Sequence, residues 1–320
     1  MLGVCTLLIG LTVTVPGEPE QPKIQAESFQ RWFDMAVNGQ VELSPTSRQR
    51  VVAFRYVFIG GYQGEMMKGY FNQNTRELRA NGISNKAIHQ IQPSSKRTVE
   101  ENRTDVAEIL QELASRGPQR LVIIAHSRGA CDAMAFALHE PEFVQERVEA
   151  IFMIQGAFGG TGLADFVLDQ GEPIDGRMGP GHRFMSNTIY KLERTFGHAN
   201  RVHGLSDMTC QAAQTYWRSS MTLCASAIPM VSPRIYYVEA SAANSRLPMV
   251  QRTLRKYLSI HYGPNDGIVA REDQSIEGIG QIVASVEAGH ADLTRQGFAS
   301  HAGRRSRQAL VQSILIAISR

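Results

Sequence analysis

From about residue 50 onward, hydrophobic positions fall in two alternating rhythms. Short continuous apolar runs predict strands, and longer stretches with apolar residues every three or four positions predict helices. VVAFRYVFI (51–59) reads as a strand that stops at Gly60-Gly61. Residues 66–80 read as a helix with Met66, Met67, Tyr70, Phe71 and Leu78 on its apolar face, and KAIHQI (86–91) is a weaker strand. Across 98–115, Val106, Ile109, Leu110 and Leu113 recur at helical spacing until Gly117-Pro118 closes the segment. LVIIA (121–125) is apolar throughout, as a strand covered on both faces should be. A helix over 129–139, a strand VEAIFMI (148–154), strands RIYYVEA (234–240) and IVASV (282–286), and a final apolar helix LVQSILIAI complete the pattern. Strand–helix alternation of this kind predicts an α/β class protein, a mostly parallel sheet with helices on both faces.

The rhythm breaks between 156 and 232. That stretch opens with GAFGGTG, passes through DGRMGPGH, and contains helix-like pieces near 184–196 and 206–224. It is too long for a structureless loop, so a helical cap insertion above the sheet is expected. Phe158, Leu163, Phe166, Val167 and Phe184 would line an acyl-chain site beneath a lid or form the cap's own small core. Cys210 and Cys224 lie in the same stretch, as a disulfide pair or as two free thiols. Residues 1–17 carry no charged side chain and are apolar through Val15, yet fall short of the roughly 20 residues of a spanning helix. They read as an export signal or anchor segment, with a buried strand as the alternative; an export signal would make the protein periplasmic, secreted or envelope-associated, and without one it would be cytoplasmic. Residues 18–49 read as an N-terminal extension to a domain spanning 50–320.

Composition narrows the function by exclusion. A chain of 320 residues with 43% hydrophobic and 20% charged residues can bury a large core. Its net charge of +3 does not suggest a nucleic-acid surface. The 4 cysteines are neither a disulfide scaffold nor spaced as a zinc site. No organic cofactor motif is present: GGTG lacks the lysine and hydroxyl residue of a phosphate loop. Arg304, Arg305 and Arg307 form a small basic cluster, read as a solvated helix start, with contact to membrane phosphates as the alternative.

The most informative residues are Ala125-His126-Ser127-Arg128-Gly129, which end one strand and begin the next helix. A serine on so sharp a turn needs small neighbours two positions away on each side, and Ala125 and Gly129 supply them. The turn projects the hydroxyl from the sheet edge next to a helix N-terminus, where an anion is favoured. The alternative is a serine that only caps the helix. A serine nucleophile needs a histidine base and an acid to orient it. Of 9 histidines, His290 sits in the loop Ala288-Gly289-His290-Ala291-Asp292 directly after a strand-like run, whereas His301 lacks such a strand. His126 is too close along the backbone to serve as the base and is assigned to packing. Asp266, in Asn265-Asp266-Gly267, lies between serine and histidine in chain order; Glu239 at the end of RIYYVEA is the runner-up, with Asp273 and Asp292 behind. Oxyanion donors are expected from the backbone N–H of Arg128 and, in the glycine loop Gly60-Gly61-Tyr62, from that of Tyr62.

These motifs resemble those of α/β-hydrolases, and bacterial lipases and esterases most of all, over roughly residues 50–320. AHSRG resembles the lipase elbow in its alanine-first form. GGY stands where such lipases have His-Gly and a bulky residue, so Gly60 replaces the usual histidine. NDGIV followed by GHADL resembles the segment from catalytic acid to catalytic histidine. The resemblance implies the α/β-hydrolase fold, a Ser127–His290–Asp266 triad, and a small-molecule ester or lipid substrate met at a membrane surface or in solution. It also places Asp292 where some of these lipases hold a structural calcium, although no partner carboxylate stands out upstream. The expected activity is carboxyl-ester hydrolysis. An acyltransferase or amidase with the same residues, or a silent binding protein of the same fold, are the alternatives.

Overall fold

The computed structural model describes residues 24–168, 202–243, 249–295 and 301–320. Residues 1–17, Phe184 and the helical piece near 184–196 lie outside that set. Six strands form one parallel sheet in the order β2-β1-β3-β4-β5-β6. They are β1 (Arg55–Ile59), β2 (Ile88–Ile91), β3 (Leu121–His126), β4 (Val148–Ile154), β5 (Ile235–Ser241) and β6 (Gln281–Glu287). Every residue of β1 and β3 is buried, which follows from central strands with helices on both sides. The order reverses between β1 and β3, so the loops leaving their carboxyl ends open a crevice there.

Helices α1 (Ala26–Val37), α2 (Pro45–Val51) and α3 (Asn72–Ala80) share one face of the sheet with the C-terminal helix, His301–Ile318, which we call α12. On the other face lie α4 (Val99–Ser115), α5 (Arg128–His139) and α6 (Pro141–Arg147). The inserted stretch supplies α7 (Gly162–Leu168), α8 (Val202–Ser206), α9 (Cys210–Leu223) and α10 (Ile228–Val231), and α11 (Met249–His261) precedes β6. Described residues of the insertion join the main core: Met208 and Trp217 are buried in the same cluster as β3, α5 and β4. Phe158 is fully packed there, edge-on to Trp217 and Tyr237, rather than lining an open acyl site.

Several boundaries differ from the apolar pattern for local reasons. The run 51–59 becomes a strand only from Arg55, because Ser44 caps a helix on the Ser47 N–H, Pro45 opens it, and Val51 ends it facing the core. The helix expected from 66 begins at Asn72, since Gly69 at φ 77° breaks the chain after a single 3-10 turn at Gly64–Met66. The 98–115 helix forms with Thr98 and Glu101 in a reciprocal capping box.

Residues from Ile24 to Val37, within the stretch read as an extension, pack into the main core. Phe29 is fully buried with its ring 5.9 Å from that of Phe152 on β4. Its removal would leave a cavity between α1 and the sheet. We expect Phe29→Ala to cost about 3–5 kcal/mol, read as a drop in the guanidinium chloride midpoint at unchanged m-value.

Candidate active site

Ser127 occupies the turn between β3 and α5 at φ 57°, ψ −130°, a conformation that costs a residue with a Cβ about 1–3 kcal/mol. It is held there by its N–H to the Ile154 carbonyl (3.0 Å) and by its own carbonyl, which accepts the Ala130 N–H (3.0 Å). Gly129 permits this turn because of what lies opposite. A Cβ at that position would stand 2.4 Å from the Gly60 carbonyl oxygen and 2.8 Å from that of Ile59, both backbone atoms that cannot swing away. Gly61 is under a similar constraint, with its Cβ position 2.7 Å from Ser127 Cβ. The glycine loop after β1 therefore lies against the serine.

Three residues named from the sequence come together. His290 Nε2 is 2.8 Å from Ser127 Oγ, and His290 Nδ1 is 2.7 Å from Asp266 Oδ2. A carboxylate oxygen only accepts, so Nδ1 carries the proton and Nε2 presents its lone pair to the serine O–H. Asp266 is fully buried and saturated: Oδ1 accepts the Ile268 and Val269 N–H groups at 3.0 and 2.9 Å. Its Oδ2 accepts Gln155 Nε2 at 2.8 Å and Gln274 Nε2 at 3.3 Å besides the imidazole. The turn chemistry of Asn265-Asp266-Gly267 is also in place, with Asn265 Oδ1 accepting the Gly267 N–H.

The remaining sequence candidates lie elsewhere in the network. Glu239, buried at the end of β5, accepts Ser275 Oγ at 2.8 Å and faces Arg271 at 3.4 Å; no contact joins it to His290. Asp273 lies against Gly159, where burial raises its carboxyl to about 6. His301 opens α12 and so starts a helix rather than ending a strand loop. Arg128 follows the serine, its guanidinium turned to the carbonyls of Ser94 (3.4 Å) and Arg97. Tyr62 follows Gly61 in the loop beside Ser127 and packs against the buried core.

Asp292 Oδ2 accepts the Gly289 N–H at 2.9 Å, which braces the loop carrying His290, and Arg307 stands next to it. Among the described residues no group of three or more His, Cys, Asp and Glu side chains is gathered for a metal. Arg307 is not part of a solvated helix start. It is buried, donating to Gln73 Oε1 and to the Asp292 and Arg295 carbonyls, while Arg304 and Arg305 are exposed. Cys210 and Cys224 are free. They bracket α9 from opposite ends, about 21 Å apart at 1.5 Å per residue, so they cannot pair.

Two supporting residues are missed by sequence reasoning. Gln155 sits at φ 49° just past β4, wholly buried, and reaches both Asp266 and the Gly289 carbonyl (3.3 Å). Gln274 ties Asp266 to the Val269 and Ala240 carbonyls and accepts the Ala240 N–H. The one signal for Gln155 is its position, directly after an apolar strand and before GAFGG. A buried glutamine at a strand's carboxyl edge needs polar partners.

No protein-family model and no curated protein sequence matches the chain. Solved structures do. A metagenomic carboxyl esterase superposes with a TM-score of 0.60 at 17% identity, covering 83% of this chain and 76% of its own. The mature form of a lipase from Bacillus licheniformis superposes with a TM-score of 0.55 at 14% identity, covering 74% of this chain and 84% of its own. At such identities the likeness concerns architecture, and with the sheet order and elbow above it identifies the chain as a protein of the α/β-hydrolase fold.

Proposed function

We propose that the protein is a serine hydrolase of carboxylic esters that works through an acyl-enzyme. The observation that carries this reading is the unbroken chain Ser127 Oγ–His290 Nε2, His290 Nδ1–Asp266 Oδ2 on a strained elbow. In the proposed reaction Ser127 Oγ attacks the ester carbonyl carbon as His290 Nε2 takes its proton. The carbonyl becomes an oxyanion held by the Tyr62 and Arg128 backbone N–H groups, and Arg128 stands at the start of α5, where helix N–H groups lack intrahelical partners. The tetrahedral adduct then expels the alcohol, which takes the proton back from His290. Water, deprotonated by the same imidazole, releases the acid and restores the serine. Asp266 stays ionised throughout and fixes the imidazole tautomer.

The substrate expected is a small-molecule ester or a lipid, as the names of the lipase and the carboxyl esterase of similar fold suggest. No metal or organic cofactor takes part in the proposed steps. The apolar residues 1–17 support an enzyme that works outside the cytoplasm. A fluorophosphonate probe is expected to label one residue per chain, Ser127, identified by peptide mass. p-Nitrophenyl esters of graded acyl length then rank lipase against esterase. A folded protein that neither reacts with the probe nor turns over any ester is a binding protein, and product shifted to an added alcohol or amine marks an acyltransferase.

A further inference from the structure

His126 reads from the sequence as a packing residue, but its two ring nitrogens are both engaged. Nδ1 lies 2.6 Å from Tyr70 Oη and Nε2 lies 2.8 Å from the His290 backbone oxygen. The ring is 2% exposed, and its centroid is 4.8 Å from that of His290. Burial and the neighbouring His290 hold it far below the ordinary histidine range, so it is neutral. A neutral imidazole has one N–H, and the His290 carbonyl can only accept. The proton is therefore on Nε2, and Nδ1 must accept the Tyr70 O–H. The assignment leaves no freedom in the chain: Tyr70 O–H to His126 Nδ1, His126 Nε2–H to the His290 C=O.

The Tyr70 end is equally constrained. Tyr70 is buried, its hydroxyl raised above its usual range by burial and partly offset by a backbone hydrogen bond from Gly61. A Cβ on Gly61 would come within 3.0 Å of that hydroxyl and 2.7 Å of Ser127 Cβ. One network thus joins the glycine loop proposed to hold the oxyanion with the backbone of the proposed base. His290 is further fixed by its N–H to the Asp266 carbonyl (2.9 Å), so its backbone is held at both amide and carbonyl.

We infer that His126 and Tyr70 are positioning residues for the Ser127–His290 reaction, a buried brace that sets the height of the His290 backbone over the elbow and couples it to the Gly61 loop. Neither touches the substrate. The inference rests on the hydrolase reading, because a brace is detectable in rate only if His290 is the base. The imidazole serves as a neutral two-ended connector, accepting the hydroxyl at one nitrogen and donating to the carbonyl from the other. Glutamine keeps an N–H donor for the carbonyl, whereas leucine fills the volume with no donor.

The test compares His126→Leu, His126→Gln and Tyr70→Phe with wild type, using p-nitrophenyl ester kinetics and fluorophosphonate labelling rate on folded protein. Misplacing a reacting group by about 1 Å costs on the order of 100-fold. His126→Leu is expected to lower kcat and labelling rate about 10- to 100-fold with KM within about twofold. His126→Gln should recover most of that loss, and Tyr70→Phe should lose about 3- to 10-fold, again in kcat. A folded His126→Leu with wild-type kcat overturns the inference, and so does a glutamine variant as slow as leucine, which would leave a packing role only. If His126→Leu does not fold, the glutamine and Tyr70→Phe comparison decides alone: wild-type kcat in Tyr70→Phe overturns the coupling. Ser127→Ala is the control that separates the two readings. Turnover retained without the serine removes the hydrolase reading itself, whereas its loss beside an unaffected Tyr70→Phe and His126→Leu removes only the brace.

Discussion

Replacing Ser127 with alanine is expected to lower ester turnover by about a million-fold while leaving the fold intact, and replacing it with glycine should do the same in a more stable protein. The loss follows from the role of the Oγ atom, which stands 2.8 Å from His290 Nε2, its one hydrogen-bond partner among the described residues. Removing a serine nucleophile costs about 10⁶ in kcat where it acts with a histidine as a unit. The difference in stability follows from the backbone. At φ 57°, ψ −130° both serine and alanine carry the penalty of a Cβ in a sparsely populated region, about 1–3 kcal/mol, and glycine does not. Glycine gives back about 0.5–1 kcal/mol through the freedom of the unfolded chain. Ser127→Gly should thus be about 1 kcal/mol more stable than Ser127→Ala in guanidinium chloride, with neither variant labelled by a fluorophosphonate. Equal stability would show that the elbow carries no stored strain. Turnover within tenfold of wild type would show that another group is the nucleophile.

Much of this site is legible in the amino-acid sequence, for a physical reason. Chain order, an apolar strand, a serine flanked by small residues and a helix start are local properties, and local properties are what a single sequence reports. The sheet is legible on the same basis: VEAIFMI, buried at six of its seven positions, is a short apolar run suited to a covered strand, and β4 spans Val148–Ile154 as expected. The supports of Asp266 and His290 are illegible because they are made across the fold. Gln155 meets Asp266 across 111 positions and His126 meets His290 across 164, and no periodicity marks such pairs. Arg307 misleads for a related reason. Three arginines within four residues look solvated, but helix α12 turns one of them inward onto the Asp292 loop, where carbonyls satisfy it. Residues 26–37 do carry helical spacing at Phe29, Trp32, Phe33 and Ala36, but that helix precedes the first strand, and with no strand before it the spacing alone does not tie it to the sheet.

Asp266→Asn should lower kcat about ten-thousand-fold and also destabilise the protein, whereas Glu239→Gln should leave kcat within about threefold. The carboxylate of Asp266 meets only donors: two backbone N–H groups at Oδ1, and Gln155, Gln274 and His290 at Oδ2. An amide has one oxygen for these two sides. With its NH2 toward Ile268 and Val269 it opposes two backbone donors; with its NH2 toward His290 it opposes both glutamines. Either orientation leaves buried donors unpaired, about 1–3 kcal/mol for each. The second orientation also supplies a donor to His290 Nδ1, which draws the proton to Nε2. Nε2–H then faces Ser127 Oγ with no lone pair to take its proton, and the base is lost although every atom is nearly in place. Glu239 has no such leverage. Its partners are Ser275, Arg271 and Ser285, hydroxyls that can turn and a half-exposed guanidinium, none of them joined to the imidazole. Measuring kcat and the denaturation midpoint for both variants separates the assignments. A large kcat loss in Glu239→Gln with Asp266→Asn near wild type would move the acid to the end of β5, and the 2.7 Å contact between Asp266 and His290 would then be structural only.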